Sequence, residues 1–171
     1  MRYGGAGRLA RVGVVLLVLA ACVAARLFVV EPYTVDGRSM RPTLDHGQRL
    51  LVSRLAYRDK LPQRGDIIVF RNPHGQGDDY VKRVIGLPGD LVELRLGRVY
   101  INGAPLAEPY LGEHPSQDFG PTRVRDDAVF VLGDNRGQSE DSRYFGDVAL
   151  SAIRGKVVAR VWPLTRAGMP R

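Results

Sequence analysis

The chain has 171 residues, 25 Lys+Arg against 18 Asp+Glu, a formal net charge of +7 and one cysteine. That length holds one compact domain besides an apolar N-terminal segment. A single cysteine excludes an intramolecular disulfide and a thiolate metal cluster. No stripe of interleaved basic and aromatic residues points to nucleic acid.

The N-terminus carries Arg2, Arg8 and Arg11, with no acidic residue before Glu31. Val12 to Val30 is apolar except for Gly13 and Arg26. As a helix rising ~1.5 Å per residue, it would be roughly 28 Å long, close to the thickness of a bilayer core. The segment is therefore predicted to be a transmembrane anchor. Residues 1–11 would be cytoplasmic, because the positive flank stays inside, and residues 31–171 extracytoplasmic. Arg26 sits near the far end, where its side chain can snorkel. Two cleaved alternatives stand beside the anchor: a signal peptide ending at small residues, or a lipoprotein box at Leu19-Ala20-Ala21-Cys22 with an acylated Cys22. The apolar run resumes at Leu27-Phe28-Val29-Val30 instead of giving way to a polar linker, which favours the anchor. Under all three, Ser39 and the rest of the chain beyond Val30 lie outside the cytoplasm.

Beyond the anchor the apolar runs are short, rich in Val, Ile, Leu and Tyr, and punctuated by Gly and Pro. They predict strands at 49–53, 66–70, 91–94, 98–101, 128–132 and 157–161, a mostly β fold. Leu91 to Ile101 reads as a hairpin turning at Leu96-Gly97. One short helix is predicted at Val148–Arg154, closed by Gly155. Residues 102–127, rich in Pro and Gly, are predicted to form an irregular excursion.

Three segments could carry chemistry. The first is Val35-Asp36-Gly37-Arg38-Ser39-Met40-Arg41-Pro42-Thr43. Ser39 lies nine residues past Val30, at most ~30 Å of extended chain, so it stays near the membrane surface. Read alone it fits a turn residue after Asp36-Gly37. There is no Gly-x-Ser-x-Gly elbow and no Ser-x-x-Lys. The second is Tyr80-Val81-Lys82-Arg83-Val84-Ile85-Gly86-Leu87-Pro88-Gly89-Asp90. The chain has only three lysines: Lys60, in a polar turn; Lys156, at the start of a Val-rich strand; and Lys82, inside an apolar run. Arginine stays protonated and cannot act as a base. A buried lysine loses proton affinity, as a base requires. A solvated position on one strand face fits the same spacing. The third is the loop Gly133-Asp134-Asn135-Arg136-Gly137-Gln138-Ser139-Glu140-Asp141-Ser142-Arg143, which comes after an apolar strand. It fits a solvated hairpin loop, or one held rigid by pairing among Asp134, Arg136, Asp141 and Arg143. His46, His74 and His114 lie in separate polar loops without a His-Glu-x-x-His, so no metal site is expected.

Together the three segments resemble the conserved boxes of bacterial type I signal peptidases (leader peptidases). The match also takes in Arg64-Gly65-Asp66-Ile67-Ile68-Val69-Phe70 and Ile153-Arg154-Gly155-Lys156-Val157. The resemblance implies an antiparallel β-sheet catalytic domain and a membrane-anchored serine endopeptidase that removes N-terminal signal peptides without a cofactor. It makes Ser39 the nucleophile and Lys82 the general base. Ser139 would hydrogen-bond and orient Lys82, while Asp134, Asp141 and Arg143 would brace the loop. The Ser39 backbone N–H would be one oxyanion donor. The second is left unassigned, because Gly37 stands where some members carry a serine. The implied partners are preprotein signal peptides, membrane lipids and the secretion translocon, at the plasma membrane.

Overall fold

A computed structural model describes residues 11–21, 29–75, 77–112 and 115–170. The described residues form two antiparallel sheets. Strands are β1 Val30–Thr34, β2 Arg49–Ser53, β3 Ile67–Phe70, β4 Tyr80–Gly86, β5 Leu91–Arg95, β6 Arg98–Ile101, β7 Ala104–Pro105, β8 Phe119–Arg123, β9 Ala128–Leu132, β10 Val148–Ala149 and β11 Ile153–Trp162. Seven of them make one sheet in the order β1-β2-β11-β3-β4-β9-β10, and four make the other, β7-β6-β5-β8. The mostly β prediction therefore holds.

Alternation along the strands explains where the core sits. On β3, Ile67 and Val69 join a cluster with Leu44, Leu50 and Val52. Ile68 and Phe70 point the other way and pack with Val84, Val129 and Val131. A third cluster, with Ile85, Phe130, Val92 and Val99, joins the large sheet to the small one. There the backbone of Gly86 comes close: a Cβ would meet Val92 Cγ2 at 2.6 Å and Phe130 Cβ at 2.9 Å. The hairpin turns at Leu96-Gly97 as predicted. Arg95 pairs with Arg98, and both turn residues have positive φ, 49° and 78°, matching the right-handed strand twist.

Three sequence expectations meet a different local structure. The helix predicted at Val148–Arg154 is not formed. Val148–Ala149 pair with β9, Leu150–Ala152 make one 3-10 turn, and Ile153 begins β11. The backbone is claimed by strand neighbours on both sides, and tertiary pairing outweighs a short helical pattern. Gly155 is not a cap but a point of close approach, where a Cβ would collide with the Ser53 carbonyl. A short helix forms instead at Ser142–Phe145, capped by the Asp141 side chain accepting from the Arg143 N–H. The predicted excursion at 102–127 contains β7 and β8, which pair with β6 and β5. β8 reads Phe119-Gly120-Pro121-Thr122-Arg123 and escapes pattern recognition because its Gly-Pro is tolerated only at a sheet edge. Finally, Val30 belongs to β1, paired with Ser53, not to an apolar helix.

Residues 11–21 are helical and exposed. The rest of the predicted anchor, with Cys22 and Arg26, lies almost wholly outside the described residues. Among the described residues no helix is long and apolar enough to cross a membrane.

Candidate active site

Ser39 leaves β1 through a turn at Gly37, whose φ of +90° suits a residue without a Cβ. Lys82 sits in the middle of β4, opposite Ile68 of β3. It therefore shares a face with Ile68 and Val84, both fully buried. The two residues predicted to carry the chemistry meet: Lys82 Nζ lies 2.9 Å from Ser39 Oγ. Nζ also donates to the Val81 carbonyl at 3.2 Å. Lys82 is only 4% exposed. Burial lowers its pKa to about 8, against a smaller opposing pull from Asp141 and Glu140. The apolar-run reading of Lys82 is the one the fold realises. Lys60 is exposed, and Lys156 is paired with Asp66.

Ser139 is brought to the site but not into the expected bond. Its hydroxyl is buried and has no hydrogen-bond partner among the described residues. Lys82 Nζ is turned instead to Ser39 and to its own strand. Gly133 separates Ser39 from Ser139: a Cβ there would overlap both the Ser39 carbonyl and Ser139 Oγ. The loop is tied to the nucleophile segment by the Asn135 N–H, which donates to the Ser39 carbonyl at 2.9 Å.

Of the four loop charges predicted to pair among themselves, two do and two pair outside the loop. Arg143 and Asp141 do pair, Nε to Oδ1 at 2.8 Å and Nη2 to Oδ2 at 2.9 Å. Asp141 also accepts from the Gly133 N–H at 3.0 Å. Asp134, however, is held by Arg83 of β4, at 2.9 and 2.7 Å, and accepts from the Thr43 hydroxyl. Arg136 is paired with Glu108, both buried. Arg83, Thr43 and Glu108 thus belong to the site's frame, although their sequence context assigns them no role there. Arg83 had one signal: it comes directly after Lys82 in a strand, so it faces the opposite way, into a region where an arginine needs a carboxylate.

An open cleft of about 870 Å³ passes Ser39 and Lys82, lined also by Tyr33, Leu50, Val69 and Tyr80. Gly37 offers no side-chain donor there, and its N–H is directed to His46 Nδ1 at 3.3 Å. No group of three or more potential metal ligands occurs among the described residues. A hydroxyl touching a buried amine of low proton affinity, beside an open cleft, is an arrangement able to deliver an alkoxide to a bound carbonyl.

A family model described as signal peptidase, peptidase S26, matches residues 8–162. The chain belongs to the peptidase S26 family. The relatives agree with this placement. A probable signal peptidase I-2 of Synechocystis is 41% identical over 155 residues, covering 86% of this chain and 70% of that protein. A signal peptidase I of Bacillus caldolyticus is 45% identical over 161 residues, covering 85% and 87%. A crystal structure of a signal peptidase I from Enterococcus faecalis V583 is 42% identical, with a TM-score of 0.52. It covers 58% of this chain and 98% of that one. As a member of the peptidase S26 family, this chain is a peptidase with an antiparallel β architecture.

Proposed function

We propose that this protein is a membrane-anchored signal peptidase I that removes N-terminal signal peptides from exported proteins, with Ser39 as nucleophile and Lys82 as general base. The observation that carries the reading is the 2.9 Å approach of Lys82 Nζ to Ser39 Oγ at a buried position. Neutral Lys82 takes the Ser39 proton as Oγ attacks the scissile carbonyl. The Ser39 backbone N–H stabilises the oxyanion, with a second donor not assigned to Gly37. The Lys82 ammonium then gives its proton to the leaving amine, and the acyl-enzyme forms. Neutral again, Lys82 activates a water that releases the signal peptide as a free acid. The scheme needs no cofactor. Substrate would lie as an extended strand along the cleft, placing small side chains one and three residues before the cut into shallow pockets.

The helix of residues 11–21 and the apolar stretch running to Val29 would anchor the enzyme in the plasma membrane, near lipid and the secretion translocon. The catalytic domain would face out. The test is direct. Purified protein is incubated with a preprotein in detergent and the new N-terminus is sequenced. Cleavage after a small-x-small pattern by the wild type and none by Ser39→Ala is the expected result. Cleavage elsewhere, or by both proteins, rejects the reading.

A further inference from the structure

The catalytic cycle of Ser39 and Lys82 leaves Glu140 without a task, although it lies between Ser139 and Asp141. Its two carboxylate oxygens are divided between distant segments. Oε1 lies 2.9 Å from His74 Nε2, in the β3–β4 connection, and Oε2 accepts from the Tyr80 hydroxyl at 3.0 Å, where β4 begins. Tyr80 in turn packs edge-on against Phe70 with ring centroids 6.1 Å apart. Its ring centroid stands 5.0 Å from Lys82 Nζ. Glu140 and Tyr80 both line the cleft.

We propose that Glu140 is a positioning residue that straps His74 and Tyr80 to the Ser139 loop, holding the wall of the cleft and a negative charge beside Lys82. The inference rests on the reading of Lys82 as the base. A carboxylate bonded at both oxygens cannot swing away without freeing two segments at once. That fixes the Tyr80 ring against the lysine and limits the width of the cleft there. The negative charge also acts on Lys82, opposing the effect of burial. Three other acidic groups around the cleft have partners of their own, and Asp78 is an exposed member of the same lining. Asp141 is engaged by Arg143. Across the cleft Asp36 faces His46 at 3.1 Å. Asp79 is bonded to Tyr33 and near Arg154. Glu140 itself is held below the usual carboxylate range by the Tyr80 hydroxyl and then by His74, so it is charged wherever Lys82 titrates.

The test is an NMR titration of the three lysines in the full-length protein in detergent, in a Ser39→Ala background so that turnover plays no part. Glu140→Gln keeps one acceptor oxygen for the Tyr80 hydroxyl, turns an amide N–H toward His74 Nε2, and removes the charge. The Lys82 midpoint should fall by about half a pH unit, with Lys60 and Lys156 unmoved. His74→Ala keeps the carboxylate and should move the Lys82 midpoint no lower. With Ser39 restored, Glu140→Ala should raise KM for a signal-peptide substrate several-fold, and Glu140→Gln should not. A Lys82 midpoint unchanged by Glu140→Gln, or a KM unchanged by Glu140→Ala, overturns the proposal. Undiminished cleavage by Lys82→Ala would instead reject the mechanism that the proposal builds on, and the two failures are told apart because the titration is read without catalysis.

Discussion

Arg83 and Asp134 face each other through two hydrogen bonds, Nε to Oδ1 at 2.9 Å and Nη2 to Oδ2 at 2.7 Å, with side-chain exposures of 5% and 1%. Arg83 is the neighbour of Lys82, and Asp134 opens the loop that carries Ser139. The same carboxylate accepts from Thr43, four residues past Ser39. Arg83 also donates to the Gly65 carbonyl at 3.0 Å and lies over the Tyr110 ring, 3.8 Å from its centroid. One ion pair thus joins the three segments that meet at the site, from the face of β4 opposite to Lys82.

That joint makes the first prediction. Asp134→Ala leaves Arg83 charged, buried and unpaired, which should cost about 3–5 kcal/mol of stability. Urea denaturation measures it. A loss below about 1 kcal/mol would mean that the pair is dispensable to the frame.

Ser39→Ala and Lys82→Ala should each lower kcat/KM by about three orders of magnitude or more, with the circular dichroism spectrum unchanged. Lys82→Arg should be equally inactive, because a guanidinium does not give up its proton. Substantial turnover by Lys82→Arg would remove the dyad from the mechanism.

The pH dependence comes from burial of Lys82, whose pKa is lowered to about 8. Only the neutral amine can accept the Ser39 proton, so kcat/KM should rise with pH and reach half its plateau near pH 8. Stability has a definite sign too. Between the folded value and the unfolded value of ~10.4 the unfolded chain binds the extra proton, so this residue's penalty is full below about pH 8 and gone above pH ~10. Lys82→Met should therefore stabilise the inactive protein by about 1–3 kcal/mol at about pH 7 and by little at about pH 10. Thermal unfolding at the two values checks it, and equal effects at both would contradict the buried-base account.

The strand assignment of Val30 sets where an anchor can be removed. Val30 pairs with Ser53 at the edge of the large sheet. Deleting residues 1–28 keeps β1 whole and should leave cleavage of a soluble signal-peptide substrate in detergent within a few-fold of the full chain. Action on membrane-held preproteins should fall about 100-fold, as effective concentration is lost. Comparing the two substrates side by side separates these effects. If the truncated domain folds yet is no better than Ser39→Ala on the soluble peptide, the N-terminal segment is part of the active site.

What the sequence determined by itself is what short range can encode. Strands β2, β6 and β9 lie where runs of branched and apolar residues place them, and the β5–β6 turn lies at Leu96-Gly97, because pleat alternation and turn conformation are properties of a few consecutive residues. Lys82 stands out because only one of three lysines sits in an apolar run, whereas Ser39 alone reads as a turn residue and is paired with Lys82 through the family resemblance. Tertiary structure decided what depends on distant neighbours. Arg83 meets Asp134 from 51 residues away, and Arg136 meets Glu108 from 28, so a pairing confined to the loop could not be corrected from the sequence. The segment 148–154 has a helical pattern but gives its backbone to β9 and β3. Ser139 reaches the site yet does not bond Lys82, because Nζ is directed to Ser39 and the Val81 carbonyl. Local pattern selects the element, and the packing of separate elements chooses the partner of each buried charge, since a charge removed from water must be paired by whatever the fold brings near.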